Sequence, residues 1–376
     1  MAIALPKRII SADCHINEPP HVFDGVPAKL KDRAPKMLRG SDGGDGWSFD
    51  GKTPKRTFGI EATAGRAAGD KKISGLRFDE ILPGNYQGKA HVDDMDKDGI
   101  DVSIVYPAYA AQAYVMPDRE LGVACMRSYN DWIVGEFQGA SPSRIIGLPL
   151  LPVDDGMDVC LAEFDRCVKA GAKGLLIPGL PERPYHDRYY DRLFARASET
   201  GIPLTFHRTF GGKPQEADWD GIADLKISAG GTVWRFFSAT RIFTYLLYAG
   251  VFDRHPNLKI VAAEVNMGWM PFWMQTMEQN YDVRSALKDE TILSDRALVD
   301  HMGTNLFVTI LDDAVGFGLI ASQPWLAECA MWSSDYPHSV TLWPRSRQIL
   351  AELGKDLRQD QLDKIAFGNA ARVYGI

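Results

Sequence analysis

Eight short apolar runs recur along the chain, at residues 8–15, 101–107, 145–152, 173–179, 203–207, 259–264, 305–310 and 330–335, and each gives way to a stretch of helical character. The runs are almost continuously hydrophobic rather than alternating, which is the pattern of parallel strands buried on both faces. Between them, residues 118–138, 154–170 and 187–200 space their apolar side chains for one face of a helix. The segment 154–170 also opens on Asp154 and Asp155, residue types suited to a helix start. Eight such alternations predict an α/β chain closed into a (β/α)8 TIM barrel, with an open doubly wound sheet as the second choice. No internal repeat or interdomain linker interrupts them, so residues 1–376 are expected to form one barrel domain.

The first connection breaks the rhythm. Residues 16–91 lie between the first strand and the next helix, and much of this segment is glycine-rich and polar. That is too long for a simple loop. In a barrel it would leave from the C-terminal end of the first strand, where active sites are built, so a lid over a substrate is one reading and a surface excursion the other.

Composition narrows the partners. The 376 residues are 45% hydrophobic and 24% charged, with a net charge of −7 and scattered Lys and Arg residues, which offers no basic stripe for nucleic acid. A small-molecule partner is expected instead. No apolar run approaches the roughly 18 residues of a membrane span, and the start lacks the apolar core of a signal peptide. Cys14, Cys125, Cys160, Cys167 and Cys329 are an odd number without C-x-x-C spacing, which favours free thiols and a cytoplasmic protein.

The chemistry gathers at the strand ends. Asp13 and His15 close the first run, His207 the fifth, Glu264 the sixth and Asp335 the eighth. Residues i and i+2 of a strand share a face, so Asp13 and His15 point together and Cys14 points away. A closed parallel barrel brings all its C-terminal strand ends around one mouth. Any one of these residues alone is more often a core or capping group, but recurrence at four strand ends favours a site. Two imidazoles with two carboxylates suit one divalent cation, Zn²⁺ first, with Mn²⁺ or Mg²⁺ open.

The stretches SADCHINEPP, 93–107, 189–207, 252–264, SSDYPH (333–338) and the closing FGNAARVYGI together resemble the amidohydrolase superfamily. The resemblance covers almost the whole chain and points to the branch of aminocarboxymuconate semialdehyde decarboxylase and related metal-dependent aromatic-acid decarboxylases. It implies a mononuclear metal site on a (β/α)8 barrel, with Asp13, His15, His207 and Asp335 as ligands. Typical relatives carry His-x-His on the first strand; Asp13-x-His15 resembles the Glu-x-His variant of the resorcylate and carboxyvanillate decarboxylases. His15-x-Asn17 has the same spacing, but a carboxylate is the better ligand and Asn17 falls where the chain turns toward Pro19. Binuclear relatives use a carboxylated lysine at the end of the fourth strand, where this chain reads LLIPG, with Lys173 at the strand's start, so one metal is expected. On the sixth strand relatives carry a histidine; here Glu264 or Asn266 takes its place.

What the resemblance implies is non-oxidative decarboxylation of a hydroxylated aromatic or related unsaturated carboxylic acid, without a redox cofactor. Asp335 is then the proton donor or shuttle as well as a ligand. Arg208 is a candidate to clamp an anionic group, with a structural charge as the alternative; His338 to orient Asp335 or touch substrate, with loop capping as the alternative; and Glu264 to move a proton or orient substrate, with pairing to Arg208 or Arg235 at the barrel rim as the alternative. Tyr106, Phe210, Trp234 and Trp269 are candidates to line the pocket, each with core packing as the alternative. Metal-dependent hydrolysis of an amide, lactone or carbon–carbon bond is the rival, since the same ligands would activate a water. A barrel that binds without catalysis is the lesser alternative. The expected partner is a small carboxylic acid, with no nucleic acid and no membrane, on a homo-oligomer, dimer or tetramer.

Overall fold

The computed structural model describes residues 5–208, 210–211, 228–294 and 296–376. Among the described residues ten strands run in chain order: β1 (Ile10–His15), β2 (Lys36–Arg39), β3 (Asp45–Ser48), β4 (Val102–Tyr106), β5 (Ile145–Gly147), β6 (Leu175–Leu176), β7 (Leu204–His207), β8 (Ile260–Ala263), β9 (Leu306–Ile310) and β10 (Ala330–Trp332). All but β2 and β3 fall within the eight apolar runs, and every residue of those eight strands is buried. That double-sided burial is why the runs are continuous rather than alternating.

The eight strands pair in parallel as β1–β4–β5 and β6–β7–β8–β9–β10. Two seams join these ladders. Beyond β5, Leu150 bridges Leu176 in parallel, and the Leu176 N–H donates to Pro149 O at 2.7 Å. At the other seam the Asp335 N–H donates to Asp13 O at 3.1 Å and the His15 N–H to Tyr336 O at 2.6 Å. The last strand thus returns beside the first, and the eight strands form a (β/α)8 barrel.

Helices fill the connections with boundaries that local chemistry explains. The Asp118 carboxylate accepts from Leu121 N–H and caps the helix Arg119–Trp132, which continues as a wider turn through Ile133–Phe137. Asp154 and Asp155 do not begin the next helix. It runs Met157–Ala170, and Asp155 instead accepts from Arg119 Nε at 2.8 Å while Asp154 accepts from Glu182 N–H at 3.1 Å. Gly99 ends the helix Gly88–Asp98 at φ 71°, where any Cβ would stand 2.2 Å from the Arg347 side chain. Among the described residues no helix is long and apolar enough to cross a membrane.

The insertion is more built than its composition suggests. Its helix begins at Gly88, inside the 16–91 connection, and its glycine-rich part forms an antiparallel hairpin of β2 with β3. Trp47, Phe58 and Leu76 bury their side chains against the main core. Asn17 holds the insertion to β1, its amide donating to Glu61 O at 3.0 Å and Asn85 Oδ1 at 2.9 Å, and the Ala64 N–H donates to Pro337 O at 3.0 Å. The insertion is therefore fastened to both loops that leave the β1–β10 seam.

His91 lies in the helix Gly88–Asp98 with Nδ1 2.9 Å from Gly84 O and Nε2 3.0 Å from Ser103 Oγ. Burial pushes its pKa down to about 4, against the opposing pull of the Gly84 carbonyl. The unfolded chain takes up this proton near pH 6.5 and the folded one only near pH 4. Stability is therefore complete above about pH 6.5 and falls as pH drops through that window, by about 3 kcal/mol from this group. His91→Gln should shrink the difference in Tm between pH 7.5 and 4.5; an unchanged difference would remove His91 from the account.

Candidate metal centre

Asp13 and His15 project from the same face of β1 into the barrel mouth, with Asp13 Oδ1 3.3 Å from His15 Nε2. Cys14 between them turns away, its thiol 3.0 Å from Ser11 Oγ. His207, the last residue of β7, brings Nε2 to 3.1 Å from His15 Nε2 and 3.6 Å from Asp13 Oδ1. Asp335, just past β10, places Oδ1 3.4 Å from His15 Nε2. All four side chains are buried, at 0%, 3%, 6% and 1% exposure for Asp13, His15, His207 and Asp335.

The other expected residues stand around them. His338 stacks on His15 with ring centroids 3.8 Å apart and brings Nδ1 to 2.9 Å from Asp335 Oδ1. Glu264, just past β8, reaches His207 Nε2 with Oε2 at 3.3 Å and pairs through Oε1 with the Arg208 guanidinium. Arg208 Nε also donates to Glu264 O at 2.9 Å, so its fork is turned onto Glu264. Asn266 points elsewhere, accepting from Leu311 N–H at 3.1 Å. Asn17 likewise belongs to the insertion contacts, which leaves Asp13 and His15 as the converging pair on β1.

Backbone conformation sets this arrangement. Among the described residues, the non-glycine positions with positive φ are Arg208, Glu264, Asn266, Lys288 and Asp335, and all except Lys288 lie just beyond strand ends at the mouth. Such conformations cost about 1–3 kcal/mol each and persist where the surroundings over-determine them. Here Asp313 accepts from Met267 and Gly268 N–H at 2.6 and 2.9 Å, and Thr309 Oγ1 accepts from Glu264 N–H at 2.6 Å. Thr309 also donates to Asp13 Oδ2 at 3.1 Å, joining the backbone of Glu264 to the carboxylate of Asp13. Nothing in the run NLFVTI marked it beyond a polar residue near a strand end.

The donor set fits a cation. Asp13 Oδ1 and both Asp335 oxygens are buried yet receive no hydrogen bond of good geometry. Buried carboxylate oxygens left in this state are strongly disfavoured unless a positive charge completes them. His15 Nδ1 lies 3.4 Å from Pro107 O, a group that can only accept, so Nε2 presents its lone pair to the cluster. The donor atoms of Asp13, His15 and His207 all lie within 4.8 Å of one another, as do those of His15, Asp335 and His338. Electrostatics agree. Burial, followed by repulsion from Asp335, pushes the Glu264 carboxyl up to about 8. Burial pushes Asp335 up to about 7, with Asp13 adding repulsion and His15 opposing. Asp13 remains well below the usual carboxylate range although burial pulls it upward, because His207 and His15 outweigh that pull. His338 is pushed down to about 4 by burial and by His207. Three crowded carboxylates against one arginine form a site short of positive charge.

The aromatic candidates divide. Tyr106 is buried with its ring 5.3 Å from that of His207, and Phe210 lies 5.9 Å from the same ring. Trp269 packs on Trp273 and donates to Val265 O at 2.9 Å, whereas Trp234 is 71% exposed on the helix Ser228–Arg235. Tyr106 and Phe210 therefore border the imidazoles, and the two tryptophans do not.

The chain is similar to known proteins. The chain is 28% identical over 296 residues to decarboxylase orsB of Emericella nidulans, covering 75% of this chain and 84% of that protein. It is 29% identical over 259 residues to a gamma-resorcylate decarboxylase of Rhodococcus jostii, covering 65% of this chain and 75% of that one. Its fold matches the crystal structure of a 5-carboxyvanillate decarboxylase from Novosphingobium aromaticivorans, complexed with manganese and 4-hydroxy-3-methoxy-5-nitrobenzoic acid. That match has a TM-score of 0.69 at 17% identity and covers 98% of this chain and 96% of the other. With residues 13–376, from the first site carboxylate to the last residue, matching the family model, the chain belongs to the amidohydrolase family.

Proposed function

We propose that this protein is a metal-dependent, non-oxidative decarboxylase of a hydroxylated aromatic carboxylic acid. The observation that carries the reading is the convergence of Asp13, His15, His207 and Asp335, with three carboxylate oxygens unsatisfied, at the mouth of a barrel related to aromatic-acid decarboxylases. These four residues would hold one divalent cation. When bound, it supplies a fixed positive charge that orients the substrate carboxylate and an adjacent oxygen and stabilises developing negative charge. Zn²⁺ remains the reading for this nitrogen and oxygen donor set, with Mn²⁺ as the alternative that the manganese-bound relative supports.

The residues themselves divide the remaining work. Asp335, with His338 Nδ1 2.9 Å from its carboxylate, is placed to hold a proton and deliver it to the ring carbon that bears the carboxyl group. The bond from that carbon to the carboxyl carbon then breaks, CO₂ departs, and the electron pair left behind restores the aromatic ring. Glu264 spans His207 and Arg208 and is placed to orient substrate or pass a proton beside them. The bond from Ala64 N–H of the insertion to Pro337 O, next to His338, supports a lid role for the insertion. All five cysteines are buried and unpaired, which supports a reducing, cytoplasmic setting.

A substrate panel tests the reading. Metal-loaded protein should release CO₂ from at least one hydroxylated benzoic acid without added nicotinamide, flavin or oxygen, and a chelator should stop it. If it leaves every such acid untouched but hydrolyses amides or lactones, the hydrolytic reading replaces this one.

A further inference from the structure

Glu18 lies three residues beyond His15 and is fully buried, at 0% exposure. Its carboxylate accepts from three consecutive backbone N–H groups: Ala108 at 3.0 Å, Tyr109 at 2.9 Å and Ala110 at 2.9 Å. These lie in the loop that follows β4. Directly before them, Pro107 contributes the carbonyl 3.4 Å from His15 Nδ1. The Ile16 N–H closes the circuit by donating to Tyr106 O at 3.2 Å. One stretch of chain therefore carries both an imidazole of the centre and the carboxylate that grips the loop facing its rear nitrogen.

We infer that Glu18 is a positioning residue for His15, holding the Pro107 carbonyl against Nδ1 so that the Nε2 lone pair stays aimed at Asp13, His207 and Asp335. The inference rests on the metal-centre reading above. Taking a carboxylate out of water is costly, and a surface loop does not need one to fold. Three N–H donors compensate the charge here and make the loop stiff, and the third, from Ala110, begins the short helical turn Ala110–Val115. The loop is fastened a second time through the Tyr109 hydroxyl, which donates to Glu61 of the insertion. Outer partners that fix the rear nitrogen of a metal-bound imidazole typically account for roughly 10- to 100-fold in metal affinity.

The test compares Glu18→Gln with Trp47→Phe in the full chain. Trp47 Nε1 donates to the backbone oxygen of Glu18 at 3.3 Å, so its loss loosens the same region without touching the carboxylate. Zinc affinity is read by competition with a chromogenic chelator, and the visible spectrum of the Co²⁺-substituted protein reports ligand geometry. Glu18→Gln should weaken zinc binding roughly 10- to 100-fold and alter the cobalt spectrum, while Trp47→Phe should lower Tm and leave both unchanged. Equal affinity and spectrum in Glu18→Gln, or equal loss in Trp47→Phe, overturns the inference. Should Glu18→Gln not fold, the unmodified protein decides. In ¹⁵N-histidine spectra, with the His15 signals assigned by their loss in His15→Gln, Nδ1 should carry the hydrogen and Nε2 the zinc, and the opposite assignment overturns the proposal. If the unmodified protein binds no zinc or cobalt, the metal-centre reading fails and this inference with it; intact binding with unchanged variants defeats the inference alone.

Discussion

His207→Ala is expected to leave less than about a tenth of an equivalent of metal per chain after purification with metal supplied and chelator absent, and to lower turnover by at least about 10³-fold. The size of the effect follows from geometry. His207 Nε2 faces His15 Nε2, Asp13 Oδ1 and Glu264 Oε2 within 3.1 to 3.6 Å, so its removal leaves a gap in the middle of the donor set rather than at its edge. It also leaves three carboxylates with fewer positive or polar neighbours, which disfavours their common ionisation. Elemental analysis and a steady-state assay check the two arms. Full metal occupancy at ordinary affinity in this variant would take His207 out of the ligand set.

Glu264→Gln is the second large effect, and here stability and turnover separate. Glu264 and Arg208 are a largely buried pair, their side chains 8% and 11% exposed, and in the metal-loaded protein, where the cation favours the ionised carboxylate, neutralising one partner costs about 3–5 kcal/mol. Turnover should fall by roughly 10²–10⁴-fold if the carboxylate moves a proton or orients the substrate. Combining Glu264→Gln with Arg208→Met removes both charges and should recover much of the lost Tm, because the uncompensated guanidinium is gone. The catalytic role predicts that turnover stays low in this double variant while metal remains bound. Recovery of turnover along with stability would reduce Glu264 to a partner of Arg208.

Much of this was legible in the residues, for a physical reason. Strands buried on both faces must be continuously apolar, so each barrel strand announces itself, and a polar group at its C-terminal end is conspicuous: Asp13, His207 and Asp335 stand out in this way. The pairing of Arg208 with Glu264 was visible only as an alternative, because nothing local tells whether an arginine faces a substrate or a neighbouring strand end. Nothing local in the sequence marks Thr309 or Glu18 as a contributor to the centre. Their importance lies in which backbone groups they touch across the barrel, and those contacts exist only after closure. The hairpin of β2 and β3 was hidden by its glycines, whose backbone freedom reads as a loop. Gly46 shows the other use of glycine: a Cβ there would stand 2.5 Å from Arg56 O, so the strand needs the missing side chain to let a neighbouring backbone approach.

The seam where β10 meets β1 bears on the order in which the protein can be made. The backbone N–H of Asp335 is bonded to the carbonyl of Asp13, and Ser11 and Ser334, 323 positions apart, touch through their hydroxyls. A ribosome delivers the N-terminal strand first and the C-terminal strand last. Asp13 and His15 therefore emerge long before Asp335, and the complete donor set first exists when all eight barrel strands are outside the exit tunnel. Until then the nascent chain offers only part of the set, on strands not yet held in a ring. Selection of the cation is thereby deferred to the closed barrel.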